Sequence, residues 1–135
     1  MSTIHEYAEL LKQKKLSSVE LTKQYLARIE KADAQIGSYI TVCPDEALAA
    51  AGKADERIAK GEATLLTGIP VGIKDNICTE GITTTCASKM LYNFVPPYDA
   101  TVIVALKAQG AVILGKNNMD EFAMGASTTT SYYGV

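Results

Sequence analysis

Thr67-Gly68-Ile69-Pro70-Val71-Gly72-Ile73-Lys74-Asp75-Asn76 is the stretch on which the fold turns. Ile69, Val71 and Ile73 alternate with small or ring residues, the period of a strand laid against a core. Lys74 is a lone cation at the end of that run. A lysine kept from water there has its charged form disfavoured, and the neutral amine that results is a general base. The same position also suits a strand-end lysine that snorkels to the surface or pairs with Asp75. Alternation on a strand points Asp75 to the opposite face from Lys74, so Asp75 is expected to bond elsewhere.

Working outward, Ala111-Val112-Ile113-Leu114-Gly115 is a continuous apolar run, predicting a strand buried on both faces. A helix starting at Asp99-Ala100-Thr101, carrying Val102 and Leu106 and stopped by Gly110, precedes it. Helix, glycine, strand is a unit of an α/β sheet. Before Leu65 the chain reads as helical. Thr3-Ile4-His5-Glu6 and Ser17-Ser18-Val19-Glu20 both have capping-box form. The second opens a helix with Leu21, Tyr25, Ile29, Ala32 and Ile36 on one face, ended by Gly37. Ser38 to Val42 is a short strand or extended link. Pro44 opens a third helix, to about Lys60, with Ala47, Ala51, Ala54 and Ile58 as a narrow seam that predicts close approach to a neighbour. The predicted organisation is an N-terminal helical segment, residues 1–62, followed by the beginning of an α/β domain, residues 63–135.

Composition bounds the function. With 47% hydrophobic and 21% charged residues the chain has an ordinary globular balance. A net charge of −2 without a basic stripe argues against nucleic-acid binding by this segment itself. No apolar run approaches a membrane span and the N-terminus has no signal-peptide pattern, which predicts a cytoplasmic location. Cys43, Cys78 and Cys86 show no C-x-x-C spacing, so reduced thiols are expected rather than a disulfide or zinc site. His5, the single histidine, falls in a first helical turn, which disfavours a Ser-His-Asp triad and metal ligation. Asp120 and Glu121 are adjacent, hence about 100° apart on a helix, and are expected to bond backbone around the turn at Asn118. Gly110 to Lys116 mimics phosphate-loop spacing in part, but its glycines flank a strand and Asn117 replaces the hydroxyl.

Four ordered blocks carry a resemblance: Gly68 to Asn76; Thr84 to Leu91; Val95-Pro96-Pro97-Tyr98-Asp99-Ala100-Thr101-Val102; and Gly115-Lys116-Asn117-Asn118-Met119-Asp120-Glu121-Phe122-Ala123-Met124-Gly125. Together they resemble the amidase signature family, whose catalytic unit is a serine nucleophile, a second serine in a cis peptide, and a lysine. Asn118 to Gly125 is similar to one branch, the A subunits of glutamyl-tRNA(Gln) amidotransferases. The resemblance implies an α/β fold in which N-terminal helices lead into the first strands of a mixed sheet.

It also implies that Lys74 is the catalytic lysine. Lowering a lysine pKa from about 10.4 to about 7 costs roughly 4–5 kcal/mol, so the role needs a dry pocket and hydroxyl partners. Met124, Gly125 and Ser127, beside the hydroxyl-rich run Ser127 to Ser131, are implied substrate-lining positions. The implied function is glutamine hydrolysis, feeding ammonia to conversion of Glu-tRNA(Gln) to Gln-tRNA(Gln) in translation. The implied partners are the B and C subunits of the amidotransferase, with ATP and Mg²⁺ used by the partner and no cofactor or metal in this chain. The family's serines lie in a Gly-Gly-Ser-Ser-Gly-Gly-Ser loop further along the chain. This sequence contains no Gly-Gly pair, so the 135-residue chain alone is expected to be inactive. A stand-alone amidase and a non-catalytic fragment or interaction module are the alternatives.

Overall fold

The computed structural model describes residues 3–135. Its elements, in order, are α1 (Ile4–Lys12), α2 (Ser18–Ile36), β1 (Tyr39–Val42), α3 (Pro44–Ala59), β2 (Pro70–Lys74), α4 (Thr101–Ala108) and β3 (Val112–Asn117). Short 3₁₀ turns lie at Lys89–Leu91 and Glu121–Ala123. Both capping boxes form: Thr3 with Glu6 starts α1, and Ser17 with Glu20 starts α2. Gly37 closes α2 in the left-handed region at φ 64°, a conformation open to glycine at little cost.

The sheet has the order β1-β3-β2. β2 runs parallel to β3 and β1 antiparallel to it, so the mixed sheet draws one strand from the helical N-terminal region. Helices cover both faces. Ile73 and Ile113 pack with Ile103 of α4 on one side. Val112 and Leu114 pack with Ala47 and Ala51 of α3 on the other, flanked by Val19, Leu26 and Ile29 of α2. All four members of the small-residue seam, Ala47, Ala51, Ala54 and Ile58, are buried. Their short side chains let α3 sit close to β3 and α2.

Two readings of the sequence need correction here. Ile36 is 61% exposed and does not join the α2 core stripe. That stripe turns instead through Ser18, Leu21 and Thr22, all fully buried. Ser18 is tolerated there because the N-terminus of α2 is docked, whereas the buried Thr22 hydroxyl has no hydrogen-bond partner. Ser18 donates through its hydroxyl to the Gly68 carbonyl at 3.0 Å, and the Asp55 carboxylate of α3 accepts from the Ser18 and Val19 amides at 2.7 and 3.1 Å. A carboxylate at that end also meets the positive pole of the helix dipole.

β3 extends past Gly115 to Asn117, which places a lysine inside a buried strand. The register with β2 slips at Leu114: Ile113 lies opposite Val71, and Gly115 opposite Gly72. A one-residue bulge exchanges the faces of everything after it. Lys116 therefore does not follow Val112 and Leu114 towards α3. It returns to the side of Ile113, where Ile77 packs. Gly115 makes the close β1–β3 approach possible, because a Cβ there would overlap the Thr41 carbonyl oxygen and lie 3.0 Å from the Val42 Cα.

Candidate active site at the ends of the parallel strands

β2 and β3 finish together, with Lys74 opposite Asn117. In open α/β sheets ligands bind outside the carboxyl ends of the strands. At this end lies a cleft of about 270 Å³ walled by Lys74 and by the segment from Asn118 to Thr128 that follows β3. Lys74 is exposed to it. This corrects the expectation that the strand end holds the lysine from water. The residue lies opposite Asp75 and the Ile73–Ile103–Ile113 core, beside the 118–128 segment. The pairing of Lys74 with Asp75 does not form either, because Asp75 is committed to the other face.

Asp75 is fully buried. Its Oδ2 accepts from the Thr85 amide at 2.9 Å, from the Thr85 hydroxyl, and from the Ala87 amide at 3.4 Å. Its Oδ1 accepts no hydrogen bond and faces the Lys116 Nζ at 3.7 Å. Lys116 is itself fully buried, donating to the Ile77 carbonyl at 2.8 Å and the Thr84 hydroxyl at 2.7 Å. Burial pulls its pKa below the ordinary lysine value; the Asp75 carboxylate opposes that shift. The buried lysine of this fold is thus Lys116, which lies with Asp75 on the face of β2 opposite Lys74 and outside the lining of the cleft. The sequence carried one signal for this: Lys116 continues an apolar run that reads as buried on both faces.

The wall of the cleft is organised by Asp120. Its carboxylate accepts from the Ser127 and Thr128 amides, both at 2.9 Å, from the Thr130 amide at 3.3 Å and from the Thr130 hydroxyl at 3.0 Å. The backbone hydrogen bond from Thr128 is the largest of several that hold its pKa below the usual carboxylate range. Glu121 accepts from the Ser88 hydroxyl at 2.5 Å and ties this wall to the 84–91 loop. The expectation that these acids bond backbone around the turn holds for Asp120; Glu121 departs from it, its side chain going to Ser88 of the 84–91 loop. Gly125 is pressed on the carboxylate, where a Cβ would overlap Asp120. Gly125 and Ser127 line the cleft with Lys74, whereas Met124 is 79% exposed and is not part of its wall.

Because the folded pKa of Asp120 lies below its ordinary value, its stabilising effect is complete above that value and is lost as pH falls through the folded pKa. Acidification is therefore expected to release the Ser127–Thr130 loop before the core opens. Hydrogen exchange at the Ser127 and Thr128 amides, followed from neutral pH into the acid range, checks this. Protection that persists until global unfolding would contradict it.

His5 is exposed at the start of α1, far in sequence from the cleft. Cys43, Cys78 and Cys86 are free thiols. Among the described residues no three His, Cys, Asp or Glu side chains are grouped for metal ligation, and no helix is long and apolar enough to cross a membrane.

The mixed α/β fold is shared with known proteins. The family model described as Amidase matches residues 20–135, and the chain belongs to that family. It is 59% identical over 132 residues to the A subunit of the glutamyl-tRNA(Gln) amidotransferase of Geobacter sp. (strain M21), an alignment covering 98% of this chain and 27% of that protein. The solved A subunit of the glutamyl-tRNA(Gln) amidotransferase of Thermotoga maritima superimposes with a TM-score of 0.73 at 35% identity, covering 98% of this chain and 26% of that one. The native peptide amidase of Stenotrophomonas maltophilia superimposes with a TM-score of 0.85 at 33% identity, covering 90% of this chain and 25% of that one. The chain thus spans about a quarter of the length of the relatives it matches.

Proposed function

We propose that this chain is the lysine-bearing N-terminal portion of the glutaminase subunit of a glutamyl-tRNA(Gln) amidotransferase. The observation that carries the reading is Lys74, at the shared end of β2 and β3, opening on a polar cleft walled by Asn118 to Thr128. The 59% identity to an amidotransferase A subunit supports the choice of branch. In this reading the Lys74 amine accepts the proton of a bridging serine, which accepts that of the nucleophilic serine. The nucleophile bonds to the side-chain amide carbon of glutamine, and backbone N–H groups hold the oxyanion. The C–N bond then breaks, ammonia leaves with a proton returned along the same relay, and water releases glutamate from the acyl-enzyme. Both serines belong to the Gly-Gly-Ser-Ser-Gly-Gly-Ser loop of the full-length enzyme.

Gly125 and Ser127 face the amide in this reading. Ammonia passes to the B subunit, which uses ATP and Mg²⁺ to activate Glu-tRNA(Gln), and a small C subunit completes a cytoplasmic heterotrimer. No cofactor or metal is assigned to the present chain. The test is ammonia release by the full-length protein, assembled with its partners, from glutamine and from a peptide amide. Turnover of glutamine is expected. Hydrolysis of the peptide amide with none of glutamine would move the assignment to a stand-alone amidase.

A further inference from the structure

We propose that Lys116 is a positioning residue for Lys74, acting with Asp75 as one charge-neutral unit on the opposite face of the strand end that carries it. The proposal rests on the reading of Lys74 as the base. A lysine is among the residues least often fully buried, and a strand of the sequence Val112-Ile113-Leu114 would be served as well by an apolar side chain. Lys116 is instead held at three points along the segment that leaves β2: the Ile77 carbonyl, the Thr84 hydroxyl and the Asp75 carboxylate. Asp75 is the chain neighbour of Lys74 and points to the opposite face. Its other oxygen anchors Thr85 and Ala87. The peptide that carries Lys74 is thereby fixed from behind, through a carboxylate whose Oδ1 has only Lys116 to balance it.

The charge of the unit matters as well as its geometry. Three neighbours bear on Lys116: Asp75 from the end of β2, the Cys78 thiol from the loop after it, and the Cys43 thiol at the start of α3. Lys74 has Asp75 next to it in the chain and Asp120 in the cleft wall, the latter occupied by loop N–H donors. With Lys116 in place, Asp75 is compensated. Without it, an unbalanced carboxylate adjoins Lys74 and favours the ammonium, the form that cannot accept a proton.

The experiment is the pH dependence of kcat and kcat/KM for glutamine hydrolysis by the full-length enzyme, comparing wild type, Lys116→Met, Thr84→Val and the double variant Asp75→Asn/Lys116→Met. Lys74→Ala is the separate control. In Lys116→Met the acidic limb is expected to move at least about one pH unit upward, with kcat near neutrality down about tenfold and KM within about threefold. The double variant removes both charges and is expected to return the limb close to the wild-type position. Thr84→Val keeps the charges and loses one tether, so kcat falls with the limb unmoved. A limb at the wild-type position in Lys116→Met overturns the proposal. Where Lys116→Met fails to fold, wild-type kcat in Thr84→Val overturns it, as does a limb displaced in the double variant. Lys74→Ala at the wild-type rate would remove the base assignment and this inference together. An inactive Lys74→Ala beside an unchanged Lys116→Met profile would sink this inference alone.

Discussion

Replacing Lys74 by alanine is expected to lower kcat of the full-length enzyme by at least ~10²-fold while KM stays within a few-fold, the pattern of a lost general base rather than a lost binding contact. Lys74 lies outside the packed layers. Its neighbour Ile73 carries the core contacts with Ile103 and Ile113, and Lys74 itself is exposed to the cleft. Truncation of such an exposed side chain costs at most about 0.5 kcal/mol. The unfolding midpoint should therefore stay at the wild-type value while turnover collapses, a combination that separates chemistry from folding. Steady-state rates within a few-fold of wild type would end the assignment of Lys74 as the base. Retained rates together with a raised KM would recast it as a substrate-binding cation.

The parts of this architecture that were legible in the sequence are those written locally. A capping box occupies four residues and reports its own helix start, so α1 and α2 begin where Thr3 and Ser17 place them. β2 runs from Pro70 to Lys74, with its bounds given by alternation and the surrounding turn residues. The position of Asp120 beside the turn at Asn118 sufficed to assign its carboxylate to loop backbone. What could not be read depends on contacts distant in sequence. The docking of Asp55 on the start of α2 joins residues 37 apart and leaves no local mark. It is nevertheless what fixes the first turn of α2, where Ser18 is buried.

The bulge at Leu114 had the larger consequence. Before it, strand alternation assigns faces correctly; after it, the assignment inverts, and only pairing with β2 reveals the inversion. The apolar run from which the strand is read ends at Gly115, so Lys116 falls just outside it. The strand in fact continues through two more paired residues, with Thr41 and Tyr39 of β1 on one side and Ile73 and Lys74 of β2 on the other. Of the positions assigned to the cleft by resemblance, Gly125 and Ser127 come to it because both are drawn to the Asp120 carboxylate. Met124 has no such tether and turns out to solvent.

Lys116→Met is expected to destabilise the folded chain by about 3–5 kcal/mol near neutral pH, the cost of leaving a buried charge without its partner. Methionine fills much of the volume of the lysine stem, so the loss reports the ammonium rather than a cavity. Asp75, fully buried and with one oxygen already lacking a hydrogen bond, is what remains behind. Removing both charges, in Asp75→Asn/Lys116→Met, should recover more than half of that loss, because a buried ion pair contributes little net stability and breaking it from one side is what costs. The pH dependence carries a definite sign. Burial holds the folded pKa of Lys116 below 10.5, against the opposing pull of Asp75. Between that lowered value and 10.5 the unfolded chain binds a proton that the folded chain has released. The contribution of Lys116 to stability therefore rises with pH across this window, and its burial cost is complete below the folded pKa. Urea midpoints measured from neutral pH into the alkaline range should show this rise in the wild type and lack it in both variants. A Lys116→Met midpoint equal to wild type at pH 7 would mean that Asp75 is balanced by something other than Lys116, and the buried pair would lose its structural role.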